Sequence, residues 1–199
     1  MIYKQKIITL MTIFSLMSIG WGCIDGVEVE LWGECYNIEE TIELDLYNNG
    51  LTGEIPPEIG NLTNLTDLNL GNNQLTGEIP VEIGNLTNLV FLALDDNQLT
   101  GEIPPELGSL INLENLSLSY NQLTGGIPSS IRNLIKIESF NFEGNQITSI
   151  DENVCNVFDE SDFDPCCEFS MFFNFTNNSI CGELPSCLTA DDIGEQNCP

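Results

Sequence analysis

The chain has 199 residues, 31 of them acidic and 4 basic, with no histidine and 8 cysteines. Its length fits one ordinary domain or one short repeat array, and its charge of −27 at pH 7 repels nucleic acid and anionic lipid, which excludes both as partners. Without histidine there is no imidazole triad or general base, and among so many acids close carboxylate pairs arise by chance, so the chain reads as non-enzymatic.

In chain order, Lys4 and Lys6 precede an apolar run from Ile7 to Ile19, followed by Gly20, Trp21, Gly22 and Cys23. A basic start, a short apolar run and small residues before a cut describe a secretory signal peptide over residues 1–22, cleaved after Gly20 or Gly22. The run is shorter than the ~20 residues of a membrane span, and a retained anchor is the alternative. Cleavage leaves 31 acids against Arg132 and Lys136, a net of −29. That surface serves solubility, or attracts basic peptides or divalent cations, and no membrane insertion follows cleavage.

All eight cysteines lie at Cys23 or beyond: Cys23, Cys35, Cys155, Cys166, Cys167, Cys181, Cys187 and Cys198. An even number behind a leader implies disulfides and an oxidising compartment. The absence of histidine and of paired C-x-x-C units argues against zinc. Residues 23–40, with `CIDGVEVELWGEC` and Trp32, read as an N-terminal cap closed by Cys23–Cys35. The rival reading, lipidation of Cys23, would leave an odd number of cysteines.

From residue 41 to 150 the chain repeats itself. `LTGEIP` begins at Leu51, Leu75 and Leu99, and `LTGGIP` at Leu123, each 24 residues after the last. One apolar column runs Leu44, Leu68, Leu92, Leu116, Phe140, and a second runs Leu46, Leu70, Leu94, Leu118, Phe142. Three residues further stands Asn49, Asn73, Asn97, Asn121, Asn145. The alternation predicts short strands with both leucines on one side. A single strand of this kind cannot bury its apolar side alone, and stacking copies builds a continuous core. The asparagines, polar among apolar columns, are expected to form a structural ladder bonded to backbone groups, because a buried amide without partners costs about 1–3 kcal/mol.

This L-x-L-x-x-N-x-L pattern with `LTGxIPxxIGNLTNL` resembles the plant-type leucine-rich repeat family, over Ile42 to about Ile147. The resemblance implies a curved right-handed solenoid. A parallel sheet would line its concave face, with second short strands, turns and short 3₁₀ helices on the convex side and disulfide-bonded caps at the ends. It also implies an extracellular module that binds a protein or peptide on the concave sheet. The alternative is surface adhesion or packing without a defined concave ligand, associated with calcium or carbohydrate.

Repeat five departs from the phrase. `IGNLTN` becomes `IRNLIK`, placing Arg132 and Lys136 where Gly and Asn stood, and these cations either anchor to an acid such as Glu138 or Asp151 or are simply tolerated. Residues 151–169 form an acidic, cysteine-containing insertion with `DESDFDPCC`. A sixth repeat over 170–185 is carried by Phe173, Phe175, Asn178, Ile180 and Leu184, so Asn178 extends the ladder. Residues 186–199 read as the C-terminal cap, with Cys187–Cys198 as one pairing.

Function falls to the outward columns of the strands. Five spacings of ~4.8 Å give a face about 24 Å long. Aromatic and acidic residues there are the candidates for ligand binding: Tyr47, Asp67, Phe91, Asp95, Asp96, Tyr120 and Glu143. Exposed aromatics anchor interfaces, so Phe91 with Asp67, Asp95 and Asp96 is expected to hold a basic protein or peptide. No cofactor is required. Calcium at `DESDFD` or Asp95–Asp96 is the weaker expectation, since neither has the spacing of an EF-hand loop. Six N-x-S/T triplets, at Asn61, Asn64, Asn85, Asn115, Asn174 and Asn177, arise mostly from the repeat phrase and would carry glycans only in a eukaryotic secretory pathway.

Overall fold

The computed structural model describes residues 22–152, 172–186, 188 and 190–198. The segment expected to be a leader, most of the acidic insertion, and Cys155, Cys166, Cys167 and Cys187 lie outside the described residues.

Each L-x-L alternation becomes a three-residue strand. β3 (Glu43–Asp45), β5 (Asp67–Asn69), β7 (Phe91–Ala93), β9 (Asn115–Ser117), β11 (Ser139–Asn141) and β13 (Phe172–Asn174) form one parallel six-stranded sheet. Register follows the repeat, with Leu44, Leu68, Leu92, Leu116, Phe140 and Phe173 side by side. Leu68 and Leu92 are 0% exposed and Leu116 1%. Towards the C-terminal end phenylalanine replaces leucine in the core, and the rings of Phe142 and Phe175 stack 5.5 Å apart.

The `LTGxIP` phrase builds the second sheet: β4 (Thr52–Glu54), β6 (Gln74–Glu78) and β8 (Gln98–Thr100), prolonged by a Glu102–Thr124 bridge. β10 (Gly126–Ile127) pairs with β12 (Ser149–Ile150), so repeat five keeps this pairing although its phrase is broken. Each proline after the phrase, which has a fixed φ and no donor, stands in extended conformation before a short 3₁₀ helix. These helices span Pro57–Asn61, Val81–Asn85, Pro105–Ser109 and Ser129–Asn133. They stack against one another on the convex side. Gly60, Gly84 and Gly108 make that stacking fit: a Cβ on Gly108 would lie 2.4 Å from the Ser130 carbonyl oxygen.

The asparagine ladder forms as one continuous device. Asn97 Nδ2 donates to the carbonyls of Leu94 and Asp95 in its own turn and to Leu70 of the preceding repeat, while its Oδ1 accepts from Leu75 N–H, also in the preceding repeat. Asn121, Asn145 and Asn178 repeat the pattern. Asn73 does the same towards Leu46 and Leu51. Asn49 does not join. Its partners would lie in a repeat before the first, which does not exist, so its side chain is exposed and belongs outside the ladder.

The ends are closed as solenoids require. β1 (Glu28–Leu31) and β2 (Glu34–Asn37) form an antiparallel hairpin whose two-residue loop, Trp32–Gly33, has positive φ at both positions, the twist that suits a tight hairpin. The Cys23–Cys35 bond spans it. At the other end Cys198 bonds Cys181, which corrects the Cys187–Cys198 pairing. The reason is a further rung that the sequence hid. After the short helix α1 (Ala190–Ile193), Gln196 Oε1 accepts from Ile180 N–H, and its Nε2 donates to the carbonyls of Phe175 and Ile193. Ile193–Gln196 thus stands in for Leu-x-x-Asn, with Ile193 buried, and carries Cys198 alongside Cys181. Among the described residues, no helix is long and apolar enough to cross a membrane.

Candidate functional site

Local backbone chemistry shapes the outward face of the large sheet. Between the two core residues of most strands stands Asp or Asn, and this side chain caps the turn that follows. Asp45 Oδ1 accepts from Tyr47 N–H, Asn69 Oδ1 from Gly71, Asn141 Oδ1 from Glu143 and Asn174 Oδ1 from Thr176. Such local bonds are the reason these residues favour turns. This column is therefore largely occupied with holding the fold.

The candidate residues separate into two groups. At the first three strands Phe91 is half-buried, lies beside Asp67 and Asn115 in register, and lines a shallow depression of about 200 Å³ with Glu43, Leu44, Asp45, Asp67 and Asn69. Asp95 and Asp96 lie four and five residues further along the chain, past the end of β7, and do not line it. They belong instead with Tyr120 and Glu143, one and two repeats on. Tyr47 shares the column of Asp95 but stands two repeats away, 53% exposed.

The second group centres on Glu143. Interaction with the Glu143 carboxylate, with some burial and the charges of Glu143 and Asp96, raises the Tyr120 phenol above its ordinary value. Asn174 Nδ2 donates to Glu143 Oε2 at 2.8 Å. The backbone here is unusual. The position before each asparagine of this column, Asn49 included, is left-handed, with φ of 50° at Asn48, 53° at Asn72, 52° at Asp96, 52° at Tyr120, 67° at Gly144 and 58° at Asn177. Asn, Asp and Gly tolerate this conformation, but an aromatic residue there costs about 1–2 kcal/mol. Strained residues of this kind cluster at binding sites. Tyr120 packs over Gly144 and still leaves 48% of its surface in solvent.

Asp95 is half-buried. Desolvation pushes its carboxyl above the ordinary value and the Asp96 charge adds to this, while its own backbone N–H and the Ser117 hydroxyl pull it back. A carboxyl raised in the folded state favours folding when protonated and opposes it when ionised. Asp95→Asn is therefore expected to stabilise the protein at pH 7. The gain should shrink as pH falls through the raised carboxyl value and vanish below the ordinary carboxylate range. Thermal melts of the two proteins from pH 3 to 7 check this, and a gain constant across that range would refute it.

A second amide row on the convex side was not read from the sequence. Asn64 Nδ2 donates to Glu39 O, Asn88 Nδ2 to Thr63 O and Asn112 Nδ2 to Thr87 O. Lys136 occupies the next position and donates to Asn112 Oδ1 at 2.8 Å. It therefore continues a row of amides and does not seek Glu138. The signal was the asparagine that recurs every 24 residues at Asn64, Asn88 and Asn112, the first two ending `NLTN` and the third `SLIN`. Among the described residues no cluster of His, Cys, Asp or Glu could hold a metal ion, and `DESDFD` lies outside them.

Comparisons with known proteins agree with this architecture. Models described as Leucine Rich repeats match residues 42–81, and as Leucine Rich Repeat, residues 88–110 and 112–134. No curated protein matches the chain. Among solved structures, the BIR2 ectodomain from Arabidopsis thaliana is 38% identical with a TM-score of 0.51, over 53% of this chain and 55% of that one. The ectodomain of the plant membrane receptor kinase GASSHO1/SCHENGEN3 from Arabidopsis thaliana, solved with CASPARIAN STRIP INTEGRITY FACTOR 2, is 32% identical with a TM-score of 0.65, over 79% of this chain and 19% of that one. The plant peptide hormone receptor RGFR1, solved with RGF2, is 31% identical with a TM-score of 0.59, over 75% of this chain and 24% of that one. The chain spans about half the length of the first and a quarter or less of the other two.

Proposed function

The chain belongs to the leucine-rich repeat family, and on that premise we propose that it is an extracellular, non-catalytic module that recognises a basic protein or peptide on its six-stranded face. The observation that supports this is the distribution of charge. The outward positions of the strands and the turns after them carry Glu43, Asp45, Asp67, Asp95, Asp96 and Glu143 and no cation. Among the described residues the cations are Arg132, in a convex 3₁₀ helix, and Lys136, in the convex amide row. An acidic face with three exposed or half-exposed aromatic groups, Tyr47, Phe91 and Tyr120, offers complementary charge for rapid association and anchors for affinity. That RGFR1 is a peptide hormone receptor, solved with RGF2, is consistent with a peptide-sized ligand.

The test immobilises the oxidised protein and exposes it to extracellular fractions at low and high salt, beside a variant carrying Phe91→Ala and Asp95→Lys. A partner should be captured, weaken with salt, and bind the variant at least tenfold less well, a difference of about 1.4 kcal/mol. Equal capture by the variant would refute this placement of the site.

A further inference from the structure

Three of the six N-x-S/T triplets, at Asn61, Asn64 and Asn85, are identical Asn-Leu-Thr, yet the fold places the six in unlike settings. Asn61-Leu62-Thr63 and Asn85-Leu86-Thr87 occupy the same place in successive repeats, at the end of a 3₁₀ helix. The central leucines have φ/ψ of −79°/57° and −80°/55°, and Thr63 and Thr87 N–H donate to the carbonyls of Asn61 and Asn85 at 2.9 Å. These are inverse γ-turns. They bury the leucine and leave both the asparagine and the threonine exposed, and the Asn61 and Asn85 side-chain amides hydrogen-bond to none of the described residues.

The other four differ. Asn64 Nδ2 is spent on Glu39 O in the convex amide row. Asn174 is held at both ends, by Glu143 and by Thr176 N–H. Asn115 lies in β9 beside Phe91. Asn177 is left-handed, and the middle residue of its triplet is the fully buried ladder residue Asn178.

We infer that Asn61 and Asn85 are N-glycosylation sites that together cover one convex edge of the first two repeats, and that Asn64, Asn115, Asn174 and Asn177 are bare in the native protein. This rests on the chain being secreted through a eukaryotic pathway. The co-substrate is an oligosaccharide linked through pyrophosphate to a lipid. The asparagine Nδ2 forms a bond to C1 of the first sugar, the bond from C1 to the pyrophosphate oxygen breaks, and the amide gives up one proton as the lipid pyrophosphate leaves. Transfer occurs on the growing chain, so what the fold decides is which modified chains reach the native state. A glycan on Asn61 or Asn85 points to solvent. One on Asn64 or Asn174 displaces the bonds just described, and one on Asn115 covers the acidic face.

The same turn recurs at Asn133-Leu134-Ile135, with φ/ψ of −81°/63° at Leu134 and both flanking residues exposed. It lacks only the hydroxyl. Ile135→Thr should therefore create a third site.

The full chain is secreted from human cells and each asparagine is scored by mass spectrometry after enzymatic deglycosylation in ¹⁸O water. Asn61→Gln and Asn85→Gln should each remove one glycan, Ile135→Thr should add one at Asn133, and Asn64, Asn115, Asn174 and Asn177 should remain unmodified. Secreted protein bare at Asn61 and Asn85, or carrying glycans at Asn64, Asn115, Asn174 or Asn177, overturns the assignment. A chain that never reaches the medium instead refutes the extracellular reading, and this inference with it.

Discussion

Asn121→Leu is expected to lower stability by about 3–4 kcal/mol. Asn121 is 7% exposed, and its Oδ1 accepts from the buried Leu99 N–H, 3.0 Å away. Leucine has nearly the same size but accepts nothing, and an orphaned buried N–H costs about 1–3 kcal/mol. The three carbonyls that Nδ2 serves, of Leu94, Leu118 and Ser119, each keep another donor, namely Asn97 Nδ2, Asn145 Nδ2 and Asp96 N–H. They lose strength without becoming orphans, which adds roughly 1–2 kcal/mol in total. At about 2–4 °C per kcal/mol for a chain of this size, the melting temperature should fall by roughly 10 °C. Asn49→Leu is the internal control. Asn49 holds the same sequence position but no rung, so its replacement should stay within about 0.5 kcal/mol. Equal losses at both positions would mean that the ladder is not what the asparagines contribute.

The second large effect is expected from Gly108→Ala. Its Cβ would stand 2.4 Å from the Ser130 carbonyl oxygen, 2.6 Å from Ser130 Cβ and 2.7 Å from the Ser130 carbonyl carbon. Two of these three atoms are backbone, held in the next 3₁₀ helix, so no side chain can swing away. The repeats must separate locally. Overpacking of this kind costs about 1–3 kcal/mol and at times more, and the backbone contacts place this case at about 3 kcal/mol. Gly50→Ala makes a useful contrast. Gly50 has φ of 71° and nothing within 4 Å of an added Cβ, so its cost is conformational alone, about 1–2 kcal/mol. Urea titrations of both variants decide between close approach and backbone conformation: Gly108→Ala no worse than Gly50→Ala would remove the packing argument.

These two residues also mark how far the sequence could be read. The asparagine column was legible because a polar residue recurring among leucines has no other economical explanation. Repeat register and the strands of the large sheet followed from the period, and the second sheet from the family resemblance. The role of Gly108 was not legible, because a helical glycine tight against the next repeat looks the same in one dimension as a glycine in a turn. The convex amide row was concealed by its own sequence, since `NLTN` reads equally well as part of a glycosylation triplet. Gln196 was missed because it follows Asn178 by 18 residues, not 24, and uses a longer side chain. In the candidate site, the acids and aromatics were visible as outward columns. Their division was not. Phe91 and Asp95 lie close in sequence but at opposite ends of a strand's reach, whereas Tyr120 and Glu143 lie 23 residues apart and the charge of one bears on the phenol of the other.

The ladder has a direction. The Oδ1 of each rung bonds backward, to an N–H in the repeat already before it, and one of the bonds of Nδ2 does the same; none of these rungs bonds forward. A ribosome releases the same repeats in the same order. Each newly emerged asparagine therefore meets a finished surface with an N–H and a carbonyl waiting, and nothing in the older repeats must reopen to admit it. Gln196 arrives last and ends the series. Synthesis and assembly can run in step, which spares an array of short parallel strands the long search that their separated pairings would otherwise require.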